Sequence, residues 1–207
     1  MKKIHIIDAS VAIALVISLV ASFIGFEKDC ADIRENVVRL HILANSDSDA
    51  DQQIKLAVRD AFLSCGTELF SGTVTVDNAR DVLNKHKNSL ISLANSVLQK
   101  NGFDYNAQIY LTEEYFTTRS YEEFTLPAGE YMALKVVLGD GQGHNWWCVM
   151  FPPLCLPAAI ENQPLDLYIG ENGAKVVNNY NEYEIKFKIV EIYEGIKNKI
   201  KNKIYNK

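Results

Sequence analysis

The sequence predicts an α+β domain: an antiparallel or mixed sheet with two long helices on one face, preceded by an N-terminal hydrophobic segment. Three observations carry this prediction. Stretches that alternate apolar and polar residues, or are short and largely apolar, stand at 37–44, 105–111, 130–138 and 145–151, as strands with a buried face do. Between the first and the second lie two long segments whose apolar residues recur at three- and four-residue steps, the signature of amphipathic helices. Elements grouped by type in this way separate α+β from an alternating α/β build.

The first segment fixes the compartment. Lys2 and Lys3 open the chain, and no charge follows from Ala9 to Phe26 before Glu27, Lys28 and Asp29. A basic start and an apolar run are the layout of a signal peptide or membrane anchor, and the positive-inside preference places the remainder on the far side of the membrane. No clear cleavage site follows, and Cys30 lacks a lipobox. The expected organisation is a signal peptide or anchor at 1–26, a linker at 27–36, an exported α+β domain at 37–190, and a Lys-rich helix or tail at 191–207.

The strand at 37–44 places Val38, Leu40 and Ile42 on one face and Arg39 and His41 on the other. Asn45-Ser46-Asp47-Ser48 ends it and offers caps for a helix over 49–70. That helix carries the stripe Ile54, Ala57, Val58, Ala61, Phe62, Cys65 and Leu69. A second helix over 76–100, capped by Thr75 or Asp77 and ended by Asn101-Gly102, carries Ala79, Val82, Leu83, His86, Leu90, Leu93, Ala94, Val97 and Leu98. In 105–111, Tyr105, Ala107, Ile109 and Leu111 turn inward. In 130–138, Met132, Leu134, Val136 and Leu138 do so, and Gly139–Gly143 forms a turn. The strand at 145–151 stops at Pro152-Pro153. Counting by twos puts Arg39, His41, Gln108, Tyr110, Lys135 and Trp146 on the face away from the helices. At the end of the chain, Ile189, Ile192, Ile196, Ile200 and Ile204 suit one helix face among Lys197, Lys199, Lys201 and Lys203. This end reads as a helix docked on its own domain, a solvated tail, or an amphipathic helix for an anionic membrane surface.

Composition narrows the function. The 207 residues suit one domain with a terminal appendage. With 21 basic and 26 acidic residues the formal charge is −5, against the basic excess of a general nucleic-acid binder. Four Cys allow one or two bridges without making a disulfide-dense scaffold. Cys148 and Cys155 enclose six residues, and an intrachain bridge is the natural reading in an exported chain. The pairing of Cys30 and Cys65 stays open. A second reading makes Cys148 a hydrolytic nucleophile, with His41 or His144 as base and Asn45 or Asn145 as orienter; a bridged sulfur cannot attack, and no cysteine-hydrolase signature surrounds it. Asp47-x-Asp49-x-Asp51 opens like a calcium loop, but Gln52 and Val58 occupy the positions that need Gly and Glu. Helix capping explains those carboxylates. His86 reads as a core residue. No metal or cofactor is expected.

Two blocks carry a specific resemblance. One is Val38-Arg39-Leu40-His41-Ile42-Leu43-Ala44-Asn45-Ser46-Asp47 with Gln52, Lys55, Val58, Arg59 and Asp60. The other is Leu126-Pro127-Ala128-Gly129-Glu130-Tyr131, Ala133-Leu134 and the run from Gly143 to Cys155. Together, over roughly 37–155, they resemble the stage II sporulation protein R family of endospore-forming bacteria. The resemblance implies a non-enzymatic signalling protein, made in the forespore and exported into the space between the two sporulation membranes. Its implied partner there is stage II sporulation protein GA, a membrane aspartic protease of the mother cell, which then processes the sigma-E precursor. Trp and Arg are favoured interface anchors, so Arg39, His41 and Trp146 form the expected recognition patch. The competing view makes Trp146 core beneath the C-terminal helix.

Overall fold

The structure is a computed structural model that describes residues 2–70, 72, 75–121, 124–152, 154 and 165–205. Within them, helix α1 (Lys2–Glu35) leads into strand β1 (Val38–Leu43) and helices α2 (Asp49–Leu69) and α3 (Val76–Lys100). Strands β2 (Ala107–Phe116), β3 (Arg119–Ser120), β4 (Thr125–Leu126), β5 (Gly129–Leu138) and β6 (Asn145–Phe151) follow, then helices α4 (Asp166–Asn178) and α5 (Tyr180–Tyr205). The main sheet has the order β2-β5-β1-β6. It is mixed: β1 runs parallel to β5 and antiparallel to β6, and β2 is antiparallel to β5.

Local chemistry accounts for the two long helices. Ser48 caps α2, its Oγ accepting from the Asp51 amide, and Thr75 caps α3 by accepting from Asn78. Gly102 adopts φ 83° just beyond α3, where a residue with a Cβ would be strained. Ile54, Val58 and Phe62 of α2, and Ala79, Leu83, Leu90, Ala94 and Leu98 of α3, are buried beneath the face that carries Leu40, Ile42, Leu134 and Val136. Each of the Val, Leu, Ile and Phe side chains contributes roughly 1.5–3 kcal/mol. His86 is half-buried at the edge of its stripe rather than in the core.

Strand β2 runs on to Phe116, five residues past the alternating stretch. It is an edge strand, so its outer half needs no apolar pattern to stay paired with Gly129–Ala133. The short β3–β4 ribbon carries no periodicity because each arm has only two residues.

The segment 27–36 is not a linker. Helix α1 continues through it to Glu35, and its exposed apolar surface gives way to the core at Phe26, Cys30 and Ile33, all at most 4% exposed. Phe26 packs on Tyr183 and Phe187 of α5, with ring centroids 5.4 Å away in both cases. Ile33 meets α4 at Gly173. Arg34 pairs with Glu27 at 2.6 Å and donates to the Ala128 carbonyl at 3.2 Å. The charges at 27–29 flank an apolar stripe at four- and three-residue steps. The C-terminal segment is likewise helical from Tyr180 to Tyr205.

Helix α1 therefore has two roles, and truncation separates them. A chain beginning at residue 23 should keep a cooperative thermal transition. One beginning at residue 37 should lose it, because each buried side chain removed costs about 2–5 kcal/mol against a total stability of about 5–15 kcal/mol.

Candidate functional site

Central strand β1 is covered on both faces, so its alternation sends chemistry to one side. Arg39 and His41 lie opposite the two long helices. Arg39 is fully buried. Its Nε donates to the Cys148 carbonyl at 3.2 Å and its Nη2 to the Tyr121 hydroxyl at 2.7 Å. The guanidinium lies 4.3 Å from the ring centroid of Phe116 and 5.0 Å from that of Tyr131. No carboxylate among the described residues pairs with it, and Nη1 is buried without a hydrogen-bond partner. Aromatic faces stand where a counter-ion would otherwise be needed.

His41 begins a polar row across the sheet. Its Nδ1 lies 2.8 Å from Glu114 Oε2 and its Nε2 2.9 Å from Asn145 Oδ1. The other Glu114 oxygen accepts from Lys135 at 3.1 Å. The imidazole stacks on Trp147 with centroids 3.7 Å apart, and Arg119 of β3 stands 5.5 Å above the same indole. The row Arg119, Trp147, His41, Glu114, Lys135 thus crosses all four main strands, bordered by half-exposed Tyr110. Burial pulls the Glu114 carboxyl up, but the hydrogen bonds and charges of His41 and Lys135 outweigh it and leave it below its ordinary value.

A second cluster sits where β1 and β5, being parallel, end together. Asp51, in the first turn of α2, accepts from Asn45 Nδ2 at 2.9 Å, Ser46 Oγ at 2.5 Å and Tyr105 Oη at 2.6 Å. Burial raises its pKa; the hydrogen bonds from Ser46, Tyr105, Asn45 and Ser48 together lower it further. Asn45 also accepts from the Asp140 amide at 2.9 Å. Asp47 takes both the His144 amide and the His144 ring, and Lys55 donates to the His144 carbonyl at 2.9 Å. These contacts lash the 139–144 turn to the 44–48 turn. Gly143 lies so close that a Cβ would stand 2.1 Å from the Ser46 carbonyl oxygen. The motif residues of both blocks therefore meet here, as a clamp.

The expected patch is divided by the sheet. In the observed register His41 is opposite Trp147, and Trp146 is opposite Ile42. Trp146 consequently lies on the helix side, with the Arg59 guanidinium of α2 4.4 Å from its ring centroid. It is packed under α2, not under the C-terminal helix. The β1–β6 register also shifts between Val38 and Arg39, and register alone says which tryptophan joins His41. Glu114 and Trp147 were missed for that reason: both lie in strands whose neighbours the sequence does not name.

The register also separates the hydrolase candidates. Cys148 is opposite Leu40 and 2% exposed, on the sheet face away from His41. Both His41 ring nitrogens are engaged, and His144 is held by Asp47 on an exposed turn. Cys155 lies outside the described residues. Cys30 and Cys65 are free thiols, the first buried and the second half-buried. Among the described residues, no three His, Cys, Asp or Glu side chains come together to hold a metal ion.

Two outcomes test the clamp. Gly143→Ala should destabilise the fold by about 1–3 kcal/mol or more through overpacking in chemical denaturation, whereas Gly25→Ala, with open space around it, should not. The Asp51 and Glu114 carboxyls are held below ordinary values of 3.8 and 4.5. Their stabilisation is complete above those values and is lost as pH falls through the lower folded ones. The melting temperature of Asp51→Asn should therefore be lower at neutral pH and fall less steeply in acid.

Comparison with known proteins fits this geometry. A family model described as Stage II sporulation protein R matches residues 34–161, the stretch that holds the clamp, the polar row and buried Arg39. The protein named Stage II sporulation protein R from Bacillus subtilis (strain 168) is 39% identical over 123 residues, which cover 59% of this chain and 55% of that relative. The matched region thus spans about half of the relative's length. No solved structure matches. With well over half of its length matched by the family model, and with the two motif blocks joined in one clamp, the chain belongs to the stage II sporulation protein R family.

Proposed function

We propose that this chain is an exported intercompartmental signal of sporulation that activates a membrane aspartic protease, stage II sporulation protein GA, and so leads to processing of the sigma-E precursor. Membership of the stage II sporulation protein R family carries the reading. Helix α1, long and apolar enough to cross a membrane, supports export or anchorage, with the chain made in the forespore and delivered into the intermembrane space. The ligand role is favoured over a hydrolase role because Cys148 and His41 fall on opposite sheet faces. A Cys148–Cys155 bridge is part of this proposal and would hold the end of β6.

Recognition centres on the polar row rather than on Trp146. Arg39 acts from beneath by fixing Tyr121 and Phe116, while His41 and Trp147 carry the row toward Arg119, Lys135 and Tyr110. The test is reconstitution of the protease and its precursor with this chain. Omitting the chain should abolish processing. Arg119→Ala and Tyr110→Ala, both exposed, should lower processing about tenfold or more with unchanged thermal stability, as interface hot spots do. Trp146→Ala should lower it only in step with stability. Processing that is independent of the chain removes the proposal; normal processing with both surface variants removes the row as the contact.

A further inference from the structure

Helix α5 carries an apolar face that the domain does not cover. Phe187, Val190 and Glu194 turn inward and are buried. Ile185, Ile189, Ile192, Ile196, Ile200 and Ile204, spaced by four, three, four, four and four, form a separate stripe and are 44–78% exposed. At about 100° per residue, Lys186 and Lys197 border one side of this stripe, and Lys188, Lys199 and Lys203 border the other. Glu184 and Glu191 lie beyond the lysine border, away from the stripe. Lys188 pairs with Glu191 at 3.2 Å and Lys197 with Glu194 at 3.1 Å; Lys199 and Lys203 are border lysines without an ion pair among the described residues. From Gly195 to Tyr205 there are four Lys and no acid, in a chain whose formal charge is −5.

This pattern selects its occupant. A second copy docked stripe to stripe would bring lysine borders against lysine borders, in either orientation, and like charges across a helix seam repel. An anionic lipid surface accepts both features. The isoleucines enter the acyl boundary, and the lysine stems run outward along it to the headgroups. Position agrees. Phe26 packs on Tyr183 and Phe187, Lys186 donates to Ser22 Oγ at 3.0 Å, and Arg34 reaches Glu194 at 3.7 Å. Helix α5 thus lies beside the docked half of α1 and starts where the exposed apolar half begins. Gly25, with nothing within 4 Å of an added Cβ, stands at that boundary within the continuous helix α1; a bend there would let the apolar half enter a bilayer while α5 lies along its surface.

We infer that α5 is an interfacial helix that lays the Ile185–Ile204 stripe on an anionic bilayer surface beside the entry point of α1. The inference does not depend on the protease partner, because its test contains only lipid. The full chain is reconstituted into phosphatidylcholine vesicles with and without phosphatidylglycerol, carrying Ile196→Cys labelled with an environment-sensitive dye in a Cys65→Ser background. Anionic vesicles should shift the dye to an apolar environment, and high salt should reverse the shift. Each basic side chain near an anionic surface is worth about fivefold, so Lys199→Gln with Lys203→Gln should weaken the lipid-dependent equilibrium roughly 25-fold. Ile192→Glu, at an exposed position, should abolish it with an unchanged circular dichroism spectrum. A dye that stays in water on anionic vesicles overturns the inference. So does a shift of equal size on neutral vesicles, or one that tracks cross-linking between two copies through position 196.

Discussion

The carboxylate of Asp51 is the node on which the rest of the structure depends. It sits in the first turn of α2, where the helix end favours negative charge, and it binds Asn45 and Ser46 from the end of β1 and Tyr105 from the entry to β2. Through Asn45 it reaches Asp140, in the turn between β5 and β6. One buried anion thereby fixes where the central strand stops, where the first helix starts and how the two neighbouring strands close around them. The hydrogen bonds that satisfy it also keep it ionised, so the clamp and its charge sustain each other. Close approach at Gly143 follows from the same contacts.

Opposite the helices the sheet solves a harder problem. Arg39 is buried without a carboxylate partner among the described residues, and an isolated cation in such a place is costly. The chain answers with π faces from Phe116 and Tyr131, one backbone carbonyl and the Tyr121 hydroxyl. The short β3–β4 ribbon is tied down by Tyr121 and, through Arg119, stands over Trp147. Buried Arg39 thus positions the surface row that begins at His41. A substitution at Arg39 acts on that row through packing, while the exposed members of the row can act on a partner directly.

The helical layer built from α1, α4 and α5 divides the molecule differently. From Ile7 to Ile24 α1 presents apolar residues to the surroundings, and its last third sends Phe26, Cys30 and Ile33 into the core. α5 reverses the arrangement across its width, with buried Phe187 and Val190 behind and isoleucines in front. The sheet domain and its clamp are complete without these outward faces. In the proposed reading they concern where the domain is held, and the polar row concerns what it meets there.

Much was legible in the sequence because it is written in local periodicity. The strand at 37–44, both long helices with caps offered at 45–48 and at Thr75 or Asp77, the apolar N-terminal run and the family resemblance all rest on neighbours within a few residues, and backbone geometry reads those directly. The continuation of α1 through 27–35 was also present as the Phe26, Cys30, Ile33 stripe, but three charges beside it obscured a face that only α4 and α5 make a buried one. Register belongs to the tertiary structure alone. Whether Trp146 or Trp147 stands beside His41, whether Cys148 faces a histidine, and whether Glu114 bridges His41 and Lys135 each depend on a pairing between strands far apart in sequence. A shift of one residue would send every one of those side chains to the other face. The sequence by itself determined the elements and their apolar faces; the long-range pairing of strands decided which polar residues meet.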